Sequence, residues 1–298
     1  GHRIAGLANT SMGTIPDIMI GIFALHHGLE AFVKASITGA IMCNLLLGVG
    51  FAILAASRHA PQGVRFDLTS SHLLSGLMLL ATIGLIIPAI FSISTDTDQE
   101  ISFEVSVVLI ATYLASVYFT LRQPGSMSDM PSMRLGRPNH KSGRKELLRA
   151  FAILIAAGVV MAVMSEILTH AAAPAAEALG FTPIFAGIFL LAPVGSGVEL
   201  LTAVRFANQK QFDLALGIAI GCSSQMALLA APLLVLTGDW MGRPMNLLFS
   251  EFQVIAVIIA VVAVNYILNI GMVRGISGIK LLAIYIMLGI GFYYQPAA

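Results

Sequence analysis

Asp17 and Glu199 are acids set inside long apolar stretches, in the motifs Gly13-Thr14-Ile15-Pro16-Asp17 and Gly195-Ser196-Gly197-Val198-Glu199. The spacing repeats: a glycine stands four residues before each acid, and another, Gly39 or Gly221, stands 22 residues after it. A carboxylate in hydrocarbon is expensive, so it is kept where it has a partner or a task. No Lys or Arg lies in these segments at that depth, which leaves a cation from outside the chain as the natural partner. Two carboxylates supply two negative charges, matching one hard divalent ion such as Ca²⁺, which takes several oxygen ligands. The stretches 11–16 and 193–197 are rich in Gly and Pro and are expected to be poor continuous helix. Carbonyls freed there become further ligands, since irregular backbone at membrane depth is tolerated where it lines a cavity. Thr14 and Ser196, three residues before each acid, add hydroxyl oxygens.

The next segment of each half carries a polar cluster: Ser36, Thr38 and Asn44 in the first, Ser223, Ser224 and Gln225 in the second. The amides of Asn44 and Gln225 read as walls of the cation site. The serines read equally as site walls or as packing glue between helices, with small residues such as Gly217 and Gly221 allowing close approach. Glu166 is either an accessory acid in a vestibule or gate, or an interfacial side chain reaching water. His26 and His27 stand at a segment end beside Gly28 and read as interfacial. Asp96, Asp98 and Glu100 read as a solvated turn.

The elements that position these residues are membrane helices. Of 298 residues, 57% are hydrophobic and 10% charged, with mean hydropathy +0.90; soluble domains carry about 25% charged residues. Apolar runs long enough to cross a bilayer fall at about 4–26, 30–56, 68–91, 101–121, 147–170, 181–206, 211–236, 249–270 and 275–294. The fold class is therefore all-α integral membrane, with nine expected spans. The polar stretch 122–146 carries five of the chain's basic residues beyond Arg122 and divides the chain in two. With that loop in the cytoplasm, every one of the 16 Lys and Arg except Lys34 and Arg243 falls on the cytoplasmic side, as the positive-inside rule requires. Residues 1–121 and 147–298 then read as two repeats. The second has five helices with its acid on the second helix, and the first has four with its acid on the first. An odd helix count per repeat inverts one relative to the other, so the acid-bearing helices run antiparallel and meet at the midplane. The chain starts at Gly1, and the first repeat's opening helix is expected to have preceded it. Cys43 and Cys222 both sit in apolar segments, which argues against a disulfide framework.

These residues, taken as a set, resemble the calcium/proton exchanger (CAX) family of the cation/calcium antiporter superfamily. The likeness is densest from Val163-Met164-Ser165-Glu166 through Pro193–Glu199 and Phe212–Gln225, extends to Leu281–Tyr285, and appears in the first half at Val33–Gly39 and Asn44–Leu47. The resemblance implies exchange of Ca²⁺ against protons by two five-helix inverted repeats plus one extra N-terminal helix. It implies Glu199 and Asp17 as the paired cation and proton carboxylates, Gln225 and Asn44 as their neighbours, and Glu166 as an accessory acid. This chain departs from the family pattern at Thr14 and Ser196, where Asn is usual, and at Asp17, where Glu is usual. Gly13-Thr14-Ile15-Pro16-Asp17 also resembles the motif of sodium/calcium exchangers, whereas Gln225, rather than an acid, leans toward the proton-coupled branch.

The function read from the sequence is secondary antiport of Ca²⁺ against protons that compete for the same carboxylates, in a bacterial inner (plasma) membrane with loop 122–146 cytoplasmic. The expected partners are membrane lipid and the transported Ca²⁺ and H⁺; no resident cofactor and no nucleic acid are expected, and the oligomeric state is open. The alternatives are a Na⁺-coupled Ca²⁺ exchanger, a monovalent cation/proton antiporter, a cation channel and an inactive fragment. Enzyme motifs for intramembrane hydrolysis, such as His-Glu-x-x-His, are missing from the sequence.

Overall fold

Hydrophobic runs of this length satisfy their backbone polar groups in hydrocarbon by coiling into helices. The computed structural model describes residues 2–91, 98–122, 160, 163–164, 166–167, 171, 174–176 and 178–295. The helices are α1 (His2–His26), α2 (Glu30–Ser57), α3 (Leu68–Phe91), α4 (Asp98–Arg122), α5 (Pro183–Gly195), α6 (Gly197–Asn208), α7 (Phe212–Trp240), α8 (Glu251–Leu268) and α9 (Gly275–Tyr293). Helices α5 and α6 form one span bent by 52°. The segment expected at 147–170, and the basic loop 122–146 beyond Arg122, lie outside the described residues apart from isolated positions. Each of the other expected spans coincides with a helix or the bent pair to within a few residues.

Burial separates the helices into a centre and a rim. In α2 and α7, 83% of the apolar span is inside the protein, against 17% in α4 and 22% in α9. The rim helices present Phe103, Val107 and Leu114, or Ile279, Ile286 and Ile290, to the surroundings, as lipid-facing helices do. Both central helices contain a π-helical turn, Cys43–Gly48 in α2 and Met226–Ala230 in α7, and α5 contains a third, Gly187–Leu191. Such turns recur at functional sites because they redirect side chains and loosen the backbone ladder.

Contacts between loops define two faces. At one, a two-residue ribbon pairs Val64–Arg65 with Met272–Val273, and the Asp67 N–H donates to Asp213 Oδ1 at 2.8 Å. At the other, the Lys34 ammonium bonds Glu30 at 2.7 Å and Asn246 Oδ1 at 2.5 Å, and the Leu247 N–H donates to Ser102 Oγ at 3.0 Å. The first face gathers Arg58, Arg65 and Arg274, and the second Lys34 and Arg243, the division that the charge distribution anticipates. Tracing the chain between these faces makes α2 antiparallel to α7, and α1 antiparallel to the bent span. A constant offset of 182 residues also relates Asp17 to Glu199, the helix ends His26 and Asn208, the helix starts Glu30 and Phe212, and the π-turn ends Gly48 and Ala230.

Two expectations about local structure are corrected. The stretch 11–16 is continuous helix, with Pro16 inside α1; proline deprives only the carbonyl four residues earlier of its donor, and neighbouring helices accommodate the gap. Asp98 and Glu100 lie in the first turn of α4 rather than in a loop, where the positive end of the helix dipole favours acids. Asp96 is outside the described residues.

Candidate functional site

The bend between α5 and α6 builds the second half of the site. Ser196, with φ −82° and ψ 9°, interrupts the helix, and α6 restarts at Gly197 with Glu199 in its first turn. Glu199 is 7% exposed and its Oε2 has no hydrogen-bond partner among the described residues. Ser196 is fully buried and its Oγ is likewise unpartnered. The helix N-terminus supplies partial positive charge to hold one carboxylate, but the free oxygen faces no donor.

Asp17 arrives from α1 on the opposite half. Its Oδ1 lies 2.8 Å from the position a Cβ would take on Gly195, so the carboxylate rests on bare glycine backbone one residue before the bend. Asp17 and Glu199 are within Coulombic reach of one another. Among the described residues neither forms an ion pair with Lys or Arg; Lys34 instead pairs with Glu30 near the far end of α2. The two halves are also joined by a buried hydrogen bond in which Thr14 Oγ1 donates to Gln225 Oε1 at 2.8 Å. Gln225 stands immediately before the π turn of α7. Asn44 stands inside the π turn of α2, 2% exposed, with an unpartnered Oδ1.

The structure therefore brings together Asp17, Glu199, Thr14, Ser196 and Gln225, and places Asn44 on the facing central helix. The serines of α7 donate within their own helix and keep lone pairs. Ser223 Oγ donates to Ala219 O at 2.9 Å and approaches Ile41 O at 3.4 Å, and Ser224 Oγ donates to Ile220 O at 2.9 Å. Their hydrogens are spent along their own helix, and the Ile41 contact fits the packing-glue reading for Ser223. The close approach expected at Gly221 is absent, since a Cβ there would meet nothing within 4 Å; Gly39 is the tight one, 2.6 Å from the Ile188 backbone. Glu166 is helical and exposed, unlike Glu199, which is buried, and Asp17, which is half-buried. His26 ends α1 and both it and His27 are exposed, in keeping with an interfacial position.

Sequence reasoning missed Cys43 and Cys222 as site neighbours. Both are buried, and each lies within Coulombic reach of both acids. Their adjacency to Asn44 and Gly221 was the available signal. It also missed Tyr285 on α9, whose ring meets Phe189 at 5.2 Å and whose buried hydroxyl has no partner among the described residues. Among the described residues no three His, Cys, Asp or Glu side chains form a metal-holding group. A cation held here would take two carboxylates and complete its shell with hydroxyl, amide and backbone oxygens, a donor set suited to hard ions.

Comparison with known proteins follows the same lines. The family model described as "Sodium/calcium exchanger protein" matches residues 2–122 and 149–294. A Ca²⁺/H⁺ antiporter of Aphanothece halophytica is 33% identical, over 99% of this chain and 83% of its own length. The Ca²⁺/H⁺ antiporter ChaA of Bacillus subtilis is 31% identical, over 98% and 84%. The solved structure of native YfkE is similar with a TM-score of 0.83 at 30% identity, covering 98% of this chain and 84% of that one. The chain belongs to the sodium/calcium exchanger family.

Proposed function

We propose that this protein is a secondary antiporter that exchanges Ca²⁺ for protons across a membrane. The observation that carries the reading is the convergence of half-buried Asp17 and buried Glu199, from opposite halves, at one bend where Glu199 Oε2 and Ser196 Oγ are unpartnered and no basic residue pairs with either acid among the described residues. The full-length relatives named Ca²⁺/H⁺ antiporter support the choice of ions. Asp17 and Glu199 hold the cation, with Asn44, Gln225, Thr14 and Ser196 as oxygen donors around it. Protons take the same carboxylates when the cation leaves. A protonated pair no longer holds Ca²⁺, and a bound cation excludes protons, so competition for one site supplies the coupling. Antiport of this kind needs no covalent chemistry, and the protein acts as a transporter rather than an enzyme.

The architecture assigned to this function is two inverted repeats, 1–121 and 147–298, joined by a cytoplasmic loop at 122–146, with nine spans in all. The constant 182-residue offset and the antiparallel course of α2 and α7 support it. Access then alternates as one set of helices moves against the other around a fixed central site. Basic residues concentrated on one face support a bacterial plasma membrane orientation with that face inside.

The test is Ca²⁺-dependent proton flux in proteoliposomes holding the full-length protein. Exchange that persists when external Na⁺ is replaced by choline supports proton coupling, and exchange that stops assigns the Na⁺-coupled alternative. Retention of exchange in both Asp17→Asn and Glu199→Gln would show that the site is elsewhere.

A further inference from the structure

Helices α1 and α6 end in the same cap. At α1 the Gly28 N–H donates to Leu25 O and the Leu29 N–H to Ala24 O, both at 2.9 Å. At α6 the Lys210 N–H donates to Ala207 O at 3.1 Å and the Gln211 N–H to Phe206 O at 3.0 Å. The same 182-residue offset relates every donor and acceptor of the two caps, and each cap turns the chain through a left-handed residue. At α1 that residue is Gly28, with φ 73°; at α6 it is Lys210, with φ 61°, the one non-glycine residue at positive φ among the described residues. A side chain with a Cβ is disfavoured in this conformation, and the α1 copy of the turn shows that glycine fits it. The negative end of the α6 dipole favours a basic residue nearby, but Arg205 in the last turn already supplies one. Strain kept where a simpler residue would serve points to a task for the side chain.

Lys210 stands among other cations without partners. Helix α2 runs beside the bent span, with Gly39 against Ile188 and Ala192 and Gly48 near Leu200, so the ends of α2 and α6 reach one face side by side. There Arg58, Arg205 and Lys210 are all exposed, and none of them forms an ion pair among the described residues. On the opposite face Lys34 is neutralised by Glu30. Unpaired cations where helices leave the bilayer complement the anionic surface of the inner leaflet. We propose that Arg58, Arg205 and Lys210 seat the phosphate of an anionic phospholipid headgroup, and that this contact is what Lys210 supplies in place of glycine. The bound headgroup anchors the inner end of α6, the helix whose first turn carries Glu199.

The lipid site rests on the membrane orientation given above and not on the ions exchanged. Native mass spectrometry of the full-length protein, titrated with phosphatidylglycerol or phosphatidylcholine in neutral detergent, reads it without ion flux. We expect the parent to retain phosphatidylglycerol in preference to phosphatidylcholine. Lys210→Gly should weaken that retention about fivefold, the worth of one basic residue at an anionic surface, while melting in detergent no lower than the parent. Lys210→Gln, which removes the charge and keeps the Cβ, should show the same loss, and Lys210→Arg none. Arg243→Gln, on the opposite face, should behave as the parent, and inorganic phosphate at the lipid's concentration should displace nothing. Equal retention of the two lipids overturns the site, as does parent-like retention in both Lys210→Gly and Lys210→Gln. An equal loss in Arg243→Gln also overturns it, by making the attraction a matter of net charge. Displacement by inorganic phosphate overturns the lipid in favour of a free anion. A parent that retains phosphatidylglycerol but exchanges no Ca²⁺ for protons sinks the antiport reading and upholds this site.

Discussion

The two acid-bearing segments bring their carboxylates to one bend with different backbones. In the second half the chain bends by 52° at Ser196, and Glu199 sits in the first turn of the new helix. In the first half α1 runs unbroken through Pro16, and Asp17 reaches the site by lying on the bare backbone of Gly195. One half opens a pit and the other projects a side chain into it. The sequence motifs look alike because both must place a carboxylate at mid-membrane, but only one break is needed once the partner segment provides it. The glycines 22 residues beyond each acid differ in the same way: Gly39 is pressed on Ile188 and Ala192, while Gly221 has free space.

The strongest test of this asymmetry is also the least selective. Asp17→Asn and Glu199→Gln should each reduce Ca²⁺-dependent proton flux by at least about 30-fold, since breaking a buried charge interaction costs roughly 2–5 kcal/mol. Flux that falls in only one of the two variants would mean that a single acid serves both ions.

Next comes Gly195→Ala, whose new Cβ would sit 2.8 Å from Asp17 Oδ1. Displacing that carboxylate should raise the KM for Ca²⁺ by about tenfold, or roughly 1.4 kcal/mol. Gly197→Ala, where nothing lies within 4 Å, is the control and should stay near the parent. Equal behaviour of the two would separate Asp17 from the pit.

For stability, Gly39→Ala should lower the melting temperature in detergent, because the Ile188 backbone at 2.6 Å must move; overpacking of this kind costs about 1–3 kcal/mol. Gly221→Ala should raise it slightly, by the roughly 0.5–1 kcal/mol that alanine gains over glycine inside a helix. A reversal of these signs would show that the halves pack more symmetrically than described.

The smallest contrast concerns the hydroxyls. Thr14→Val strands Gln225 Oε1 and should destabilise by about 1–3 kcal/mol. Ser196→Ala removes an unpartnered oxygen and should leave the melting temperature unchanged while weakening Ca²⁺ binding. Loss of stability in Ser196→Ala with intact binding would make Ser196 part of the scaffold rather than the site.

Much of this arrangement is legible along the chain. Apolar runs mark the spans because hydrocarbon leaves the backbone no alternative to internal hydrogen bonding. Isolated acids mark the site because hydrocarbon does not tolerate them idly. What misleads is local chemistry read without neighbours. Gly-Thr-Ile-Pro suggested a break at 11–16 that packing made unnecessary, and the sequence left Ser223 and Ser224 open between site walls and packing glue, where the structure shows their hydrogens returning to their own helix.

The sequence by itself determined that the chain is built of membrane-length apolar helices, where the described ones begin and end, which loops share a face and which two acids stand alone in apolar segments. Each of these follows from the cost of polar groups and charge in hydrocarbon, a property of residues taken one segment at a time. Only the tertiary structure decided that α1 stays continuous, that Gly195 makes room for Asp17, and that Asn44, Ser196, Glu199 and Tyr285 keep oxygens unpartnered among the described residues. Those facts depend on contacts between residues about 180 positions apart, and no local pattern encodes which atoms will be left without a neighbour once distant helices close together.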